Sequence, residues 1–357
     1  MKQSHDFFKK RIKIFRKRFS LFEVDGFLID NATDIFYFTG VKLSSGILFV
    51  SQKGIALCVD GRYMEMAKKF SPFSVISIQE SSLERLWFSS QWIGVLTIGF
   101  DINTSFAMHR KFKRFFLKLK RKLKPCDHPI QKQRAIKDKE ELSHLSKSAV
   151  LLWKGFLYIK KILKKGMTEK EVAFLFEWYC KKNGAEGLSF EPIIAFGENS
   201  SLPHHYSGDR KLKDGDVVLI DIGVVVNRYM SDMTRMVFFG KVSKEIRELF
   251  LIVQRAYEEV LPHIKPGVEV GQLDRIVRQI MGHKEKFFLH SLGHGIGLSI
   301  HEYPFIGEKS QKTQLEEGMV ITIEPGLYLP GIGGVRHEDM IVVTHTGSQN
   351  LLTNSIH

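Results

Sequence analysis

Short apolar runs bounded by turn residues open the chain: Gly26-Phe-Leu-Ile-Asp30, Ser45-Gly-Ile-Leu-Phe-Val50 and, after the turn at Lys53-Gly54, Ile55–Val59. Runs of this length read as buried strands. A helical stretch from near Arg62, strands near Val75–Ile78 and Val95–Gly99, and a basic amphipathic helix over Phe106–Leu123 continue the alternation that marks an α/β domain. Periodicity lapses over 125–138, and a junction there divides the chain into domains 1–130 and 131–357. Beyond it the pattern predicts a long helix from Lys139 to Lys164. A second helix opens on the capping box Thr168-x-x-Glu171 and closes at Gly184. Strands follow at 190–196, 217–226 and 229–239, helices at 243–264 and 269–281, then strand and turn, an α+β arrangement.

Composition narrows the picture modestly. A chain of 357 residues suits two cores rather than one. With 43% apolar and 26% charged residues it is ordinary globular protein. Cys58, Cys126 and Cys180 are scattered without a CxxC pair, which argues for a reducing compartment. Residues 1–20 are charged throughout with no apolar signal region, and no run of about 18 apolar residues exists. The expectation is a soluble cytoplasmic protein with no membrane partner. The net charge of +14 is partly concentrated in clusters at 9–18 and 110–124. Such clusters can meet phosphates. No nucleic-acid motif accompanies them, so solvated helix faces are expected and nucleic acid is not.

The candidate chemistry begins where apolar strands carry acids. Val217-Val-Leu-Ile-Asp221 would be a fully buried strand but for its last residue, and an unpaired carboxylate there is costly. A hairpin centred between Val226 and Asn227 places Asp232 directly opposite Asp221. Met319-Val-Ile-Thr-Ile-Glu324 repeats the pattern, and a hairpin centred on Gly331 sets Glu338 across from Glu324. Two carboxylates so close repel strongly unless a cation lies between them. An imidazole is available at His294, between glycines that leave room for close approach. His301 follows it, and His204 and His205 lie in the loop Asn199–Tyr206. Singly, each residue reads as a cap, a strand end or a loop residue. Four acids paired twice in hairpin register do not.

The motifs Asp221-Ile-Gly223, Tyr229-Met-Ser-Asp-Met-Thr-Arg235, Gly293-His294-Gly-Ile-Gly297, Ile323-Glu324-Pro-Gly326 and Gly334-Val-Arg336-His-Glu338-Asp339 resemble those of the pita-bread metallopeptidases. Asn31–Gly40 and Asp60-Gly-Arg-Tyr63 resemble the creatinase-type N-terminal domain of the proline-directed branch. The resemblance implies a pseudo-symmetric catalytic fold with two divalent metal ions held by Asp221, Asp232, His294, Glu324 and Glu338. Asp232 and Glu338 would bridge. The oxygen-rich set suits Mn²⁺, with Co²⁺ or Zn²⁺ also accommodated. Glu324 would also shuttle the proton, His204 and His301 would bond the substrate carbonyl and oxyanion, and Arg336 would orient a bridging carboxylate. His337 departs from the family, which has an apolar residue there, and should face away from Glu338. His205 is an extra imidazole beside His204.

The implied activity is hydrolysis of the bond between an N-terminal residue and a following proline. An Xaa-Pro aminopeptidase is placed first, an Xaa-Pro dipeptidase second, and a catalytically inactive binding module third. Peptides with proline second are the expected partners, together with further copies of the chain in a homodimer or higher oligomer.

Overall fold

The computed structural model describes residues 6–310 and 312–352. The first five residues of the charged N-terminal segment lie outside that range. The chain forms two compact units, Met1–Gln133 and Arg134–His357.

The first unit is built on a six-stranded mixed sheet. Its order is Ser74–Ser77, Ile55–Val59, Ile47–Ser51, Gly26–Ile29, Thr97–Asp101, Lys122–Cys126. The two central strands are buried along their whole length, as their unbroken apolar runs require. Phe27 points to one face, where the helices Asp6–Arg16 and Ala32–Thr39 bring Phe15 and Phe38 together. Leu28 and Phe49 pair on the other face and pack with Trp87 of the Glu80–Trp87 helix, Trp92 of the turn that follows it, and Phe112 and Phe116 of the Phe106–Lys118 helix. The two basic clusters therefore ride on helices whose apolar sides dock on opposite faces of this sheet. One expectation fails here. The basic helix ends at Lys118, not Leu123, because Lys120 turns at a φ of +53° and the chain re-enters the sheet as the edge strand Lys122–Cys126. Alternating Lys and apolar residues in that strand are easily mistaken for a helix tail.

The second unit repeats one plan. The helices Lys139–Ile162 and Glu169–Lys182 precede the strands Ile193–Phe196, Val217–Ile222 and Met233–Phe238. The helices Lys244–Val260 and Val270–Met281 precede a five-stranded sheet, ordered Glu302–Ile306, Gly293–Gly295, Val320–Ile323, Asp339–Val343, Ser348–Asn350. Both predicted capping features at the second helix are present. Thr168 and Glu171 satisfy each other's backbone N–H, and Gly184 sits just past the end at a φ of +104°. The later helix pair and the five-stranded sheet share a core containing Leu249, Val253, Leu273, Val277, Ile321 and Ile341. Among the described residues no helix is long and apolar enough to cross a membrane.

Candidate metal centre

The first acid pair is set by a tight hairpin. Asn227 and Arg228 take φ values of +50° and +72°, closed by the Val226–Tyr229 pair. Two central residues with positive φ are the mark of the turn that matches strand twist. This moves the centre of the hairpin one residue from its expected place, to between Asn227 and Arg228. Asp221 consequently faces Thr234, not Asp232, which lies two positions along. A shift of two preserves the face, so both carboxylates still point into one cavity.

The second hairpin keeps its expected register. Gly326 pairs with Arg336 and Ile323 with Asp339, so Glu324 and Glu338 occupy partner positions between two ladders of the same register. His294 Nε2 lies 3.7 Å from Asp232 Oδ2 and 3.6 Å from Glu324 Oε1. Ligand atoms of Asp232, His294 and Glu338 fall within 4.8 Å of one another. The glycines flanking His294 act differently from the sequence reading. A Cβ on Gly293 would meet Thr322 O at 2.0 Å, and one on Gly295 would meet Tyr303 O at 2.4 Å. They permit close approach of neighbouring strands.

All eight candidate residues line one cavity of about 540 Å³: Asp221, Asp232, His294, Glu324, Glu338, His204, His301 and Arg336. Burial raises the carboxyl pKa of Asp232 and of Glu324 far above the ordinary range, and the charge of Glu338 adds to both. Glu338 itself is pushed up to about 8 by burial and by Asp221. Asp221 is raised by burial while the Arg336 guanidinium opposes it. Oδ1 of Asp221 and Oδ1 of Asp232 are buried with no hydrogen-bond partner among the described residues. Orphaned, proton-hungry oxygens beside a neutral imidazole suit divalent cations. His294 is held neutral, its pKa lowered to about 4 by burial and by His301.

Arg336 ties the two hairpins together. Its Nη2 donates to Asp221 Oδ2, its Nε to Thr234 Oγ1 at 2.9 Å and its Nη1 to Tyr328 Oη at 2.7 Å. Thr234 in turn donates to Glu338 Oε2 at 2.7 Å. The direct contact is thus with Asp221, and Glu338 is reached only through Thr234. His301 meets the His294 ring edge-on at 4.4 Å between centroids, and burial lowers its pKa.

Three contributors escaped the sequence reading. Tyr328 and Thr234 carry the Arg336 network. His290 sits between Tyr328 Oη, 2.8 Å from its Nε2, and the Ser291 carbonyl, 2.8 Å from its Nδ1. That carbonyl assigns the proton to Nδ1, which lies 3.8 Å from Glu324 Oε2. The spacing of four residues between His290 and His294 was the available signal. His337 does face away from the cavity, as its strand position required. Its Nε2 lies 3.1 Å from Asp339 Oδ2 and its ring packs on Tyr257. Glu302, beside His301, likewise points elsewhere, to Arg134 and to Lys137 Nζ at 2.9 Å.

Residues 143–345 match the model of metallopeptidase family M24, and residues 11–136 match that of the creatinase/prolidase N-terminal domain. The chain is 35% identical to an Xaa-Pro dipeptidase of Pyrococcus furiosus over 96% of its own length and 97% of the relative's. Among solved structures it resembles an Xaa-Pro dipeptidase from Bacillus anthracis at a TM-score of 0.91 and 30% identity, covering 97% of both chains. It also resembles an X-Pro aminopeptidase from Thermotoga maritima at a TM-score of 0.84 and 33% identity, covering 94% of this chain and 97% of that one. Two acid-bearing hairpins converging on one cavity, following a separate α/β unit in the chain, thus agree with likeness along nearly the whole length: the chain belongs to metallopeptidase family M24, with a creatinase/prolidase-type domain preceding the catalytic one in sequence.

Proposed function

We propose that the protein hydrolyses Xaa-Pro dipeptides, with Asp221, Asp232, His294, Glu324 and Glu338 holding two divalent ions. The observation that carries this is the convergence of four mutually repelling carboxylates, three of them buried and Glu324 nearly so, and one neutral imidazole on a single cavity. The similarity to a chain named Xaa-Pro dipeptidase favours the dipeptidase over the aminopeptidase placed first from sequence. The bound ions would supply Lewis-acid polarisation of the scissile carbonyl and a nucleophilic water near neutral pH. Mn²⁺ is our first choice among them.

Around that centre the protein's own groups divide the remaining work. Glu324, which lines the cavity 3.6 Å from His294 Nε2, is assigned to take the proton of the attacking water and return it to the leaving proline nitrogen. His204 and His301 are assigned to the substrate carbonyl and the developing oxyanion, each donor contributing about 2.7–4 kcal/mol. Arg336 holds Asp221 in place. A bond to proline lacks an N–H, so a site that works on the carbonyl side is suited to it. Homo-oligomerisation and a cytoplasmic location remain part of this proposal.

One observation favours the aminopeptidase as a second reading. Among the described residues lining the cavity, Arg336 is the sole arginine or lysine, and it is committed to Asp221. A substrate carboxylate would therefore be received by imidazoles. Purified protein loaded with Mn²⁺ and assayed with Xaa-Pro and Xaa-Pro-Xaa peptides tests both. Preference for Xaa-Pro supports the dipeptidase, and preference for the tripeptides supports the aminopeptidase. Cleavage of Met-Ala peptides with none of Xaa-Pro would overturn both.

A further inference from the structure

Glu169 opens the Glu169–Lys182 helix and is wholly buried. A carboxylate in that position demands partners. It has four. Oε1 accepts from Phe196 N at 2.8 Å and from Asn199 Nδ2 at 2.9 Å. Oε2 accepts from Gly208 N at 2.8 Å and faces His205 Nε2 at 2.8 Å. All four belong to one segment, residues 196–208, which is the segment that carries His204.

The other side of the segment is tied to the second acid hairpin. Ser200 Oγ accepts from Gly334 N at 2.8 Å, and the Pro203 carbonyl accepts from Arg336 Nη1 at 3.4 Å. His204 thus lies between two anchored neighbours: the residue before it is bound to Arg336, the residue after it to Glu169. The His205 side chain also borders the cavity, but it is only 12% exposed and its Nε2 is engaged by Glu169.

We propose that Glu169 and His205 are a positioning pair that holds the His204 imidazole over the reacting carbonyl. The proposal rests on the reading of His204 as a substrate-contacting residue. It reassigns the extra histidine: His205 acts through His204 and does not compete with it. Misplacement of a catalytic group by about 1 Å can cost roughly a hundredfold, so anchoring of this kind has kinetic weight.

The test is a double-mutant cycle on the metal-loaded enzyme, followed by metal content and separate kcat and KM. His205→Ala should lower kcat about five- to tenfold, with KM and two ions per chain retained, because a positioning defect spares ground-state binding. His205→Gln, whose amide can still reach Glu169, should restore most of the loss, and His205→Asn, which is too short, should not. In a His204→Ala background, His205→Ala should cost less than about twofold, as expected when one residue acts through the other. Should His205→Ala fail to fold, the Gln and Asn variants carry the same comparison. A wild-type enzyme that cleaves Xaa-Pro while His205→Ala matches it overturns the positioning role alone. Equal His205 effects with and without His204 do the same. A wild-type protein that cleaves no Xaa-Pro peptide overturns this role together with the Xaa-Pro peptidase reading on which it rests.

Discussion

Arg336 and Asp221, 115 residues apart in the chain, meet as a buried ion pair at 2.5 Å that links the two acid-bearing hairpins. A planar guanidinium serves Tyr328, Thr234 and Asp221 from three separate nitrogens, and the three donors of an ammonium, all on one atom, do not span those positions. Arg336→Lys should therefore lower activity or metal affinity about 10- to 100-fold while preserving the charge. Metal titration followed calorimetrically, with parallel kinetics, checks this. Unchanged affinity and turnover would mean that the fork is dispensable.

In the proposed function Asp232 and Glu338 would each serve both ions. Asp232→Ala or Glu338→Ala should reduce the bound metal from two ions to one or none and abolish turnover. Elemental analysis of dialysed protein gives the answer directly. Two retained ions with near-normal activity would show the ligand assignment to be wrong.

His204→Ala should lower kcat at least tenfold, about 1.4 kcal/mol of barrier, with metal content intact. The loss should exceed that of His205→Ala. A reversed ranking would move the substrate-contacting role to His205.

Chelation should expose a distinctive pH dependence of stability. Glu338 is raised from 4.5 to about 8, so its contribution to the metal-free fold is full below about pH 4.5 and is lost as pH rises through 8. Asp232 and Glu324, raised for the same reasons, act in the same direction. His290 and His294 are lowered to about 3 and about 4, and their contribution is lost only as pH falls below the unfolded value of 6.5. Between pH 6.5 and 8 the carboxylates should dominate this site, and metal-free protein should lose up to about 1.4 kcal/mol per pH unit for each proton involved. Reloading with Mn²⁺ should flatten or reverse the slope, because bound metal takes the place of those protons. Thermal melts across the window, with and without metal, would settle it. A flat metal-free profile would mean that the acids do not share protons as their burial implies.

The sequence by itself determined the elements and the acids. Unbroken apolar runs set the central strands of the first unit, the Thr168–Glu171 box set a helix start, and acids closing apolar strands marked Asp221 and Glu324. The second hairpin was legible to the residue because Gly331 lies at its true centre and the register continues unbroken past Glu324 and Glu338. The first was displaced by two positions because its register is set by positive φ values at both Asn227 and Arg228; Asn favours that conformation and marks a turn there, but Arg228 does not announce that it is the second central residue. Period-two alternation absorbed the error, and Asp221 and Asp232 kept a common face. Tertiary structure alone decided the rest. Tyr328 and Thr234 are unremarkable in sequence, and they matter only because folding brings Arg336 within hydrogen-bond reach of both. His204 and His205 are adjacent and chemically identical. Both border the cavity; what separates them is a buried carboxylate 36 residues upstream of His205, which engages the His205 ring.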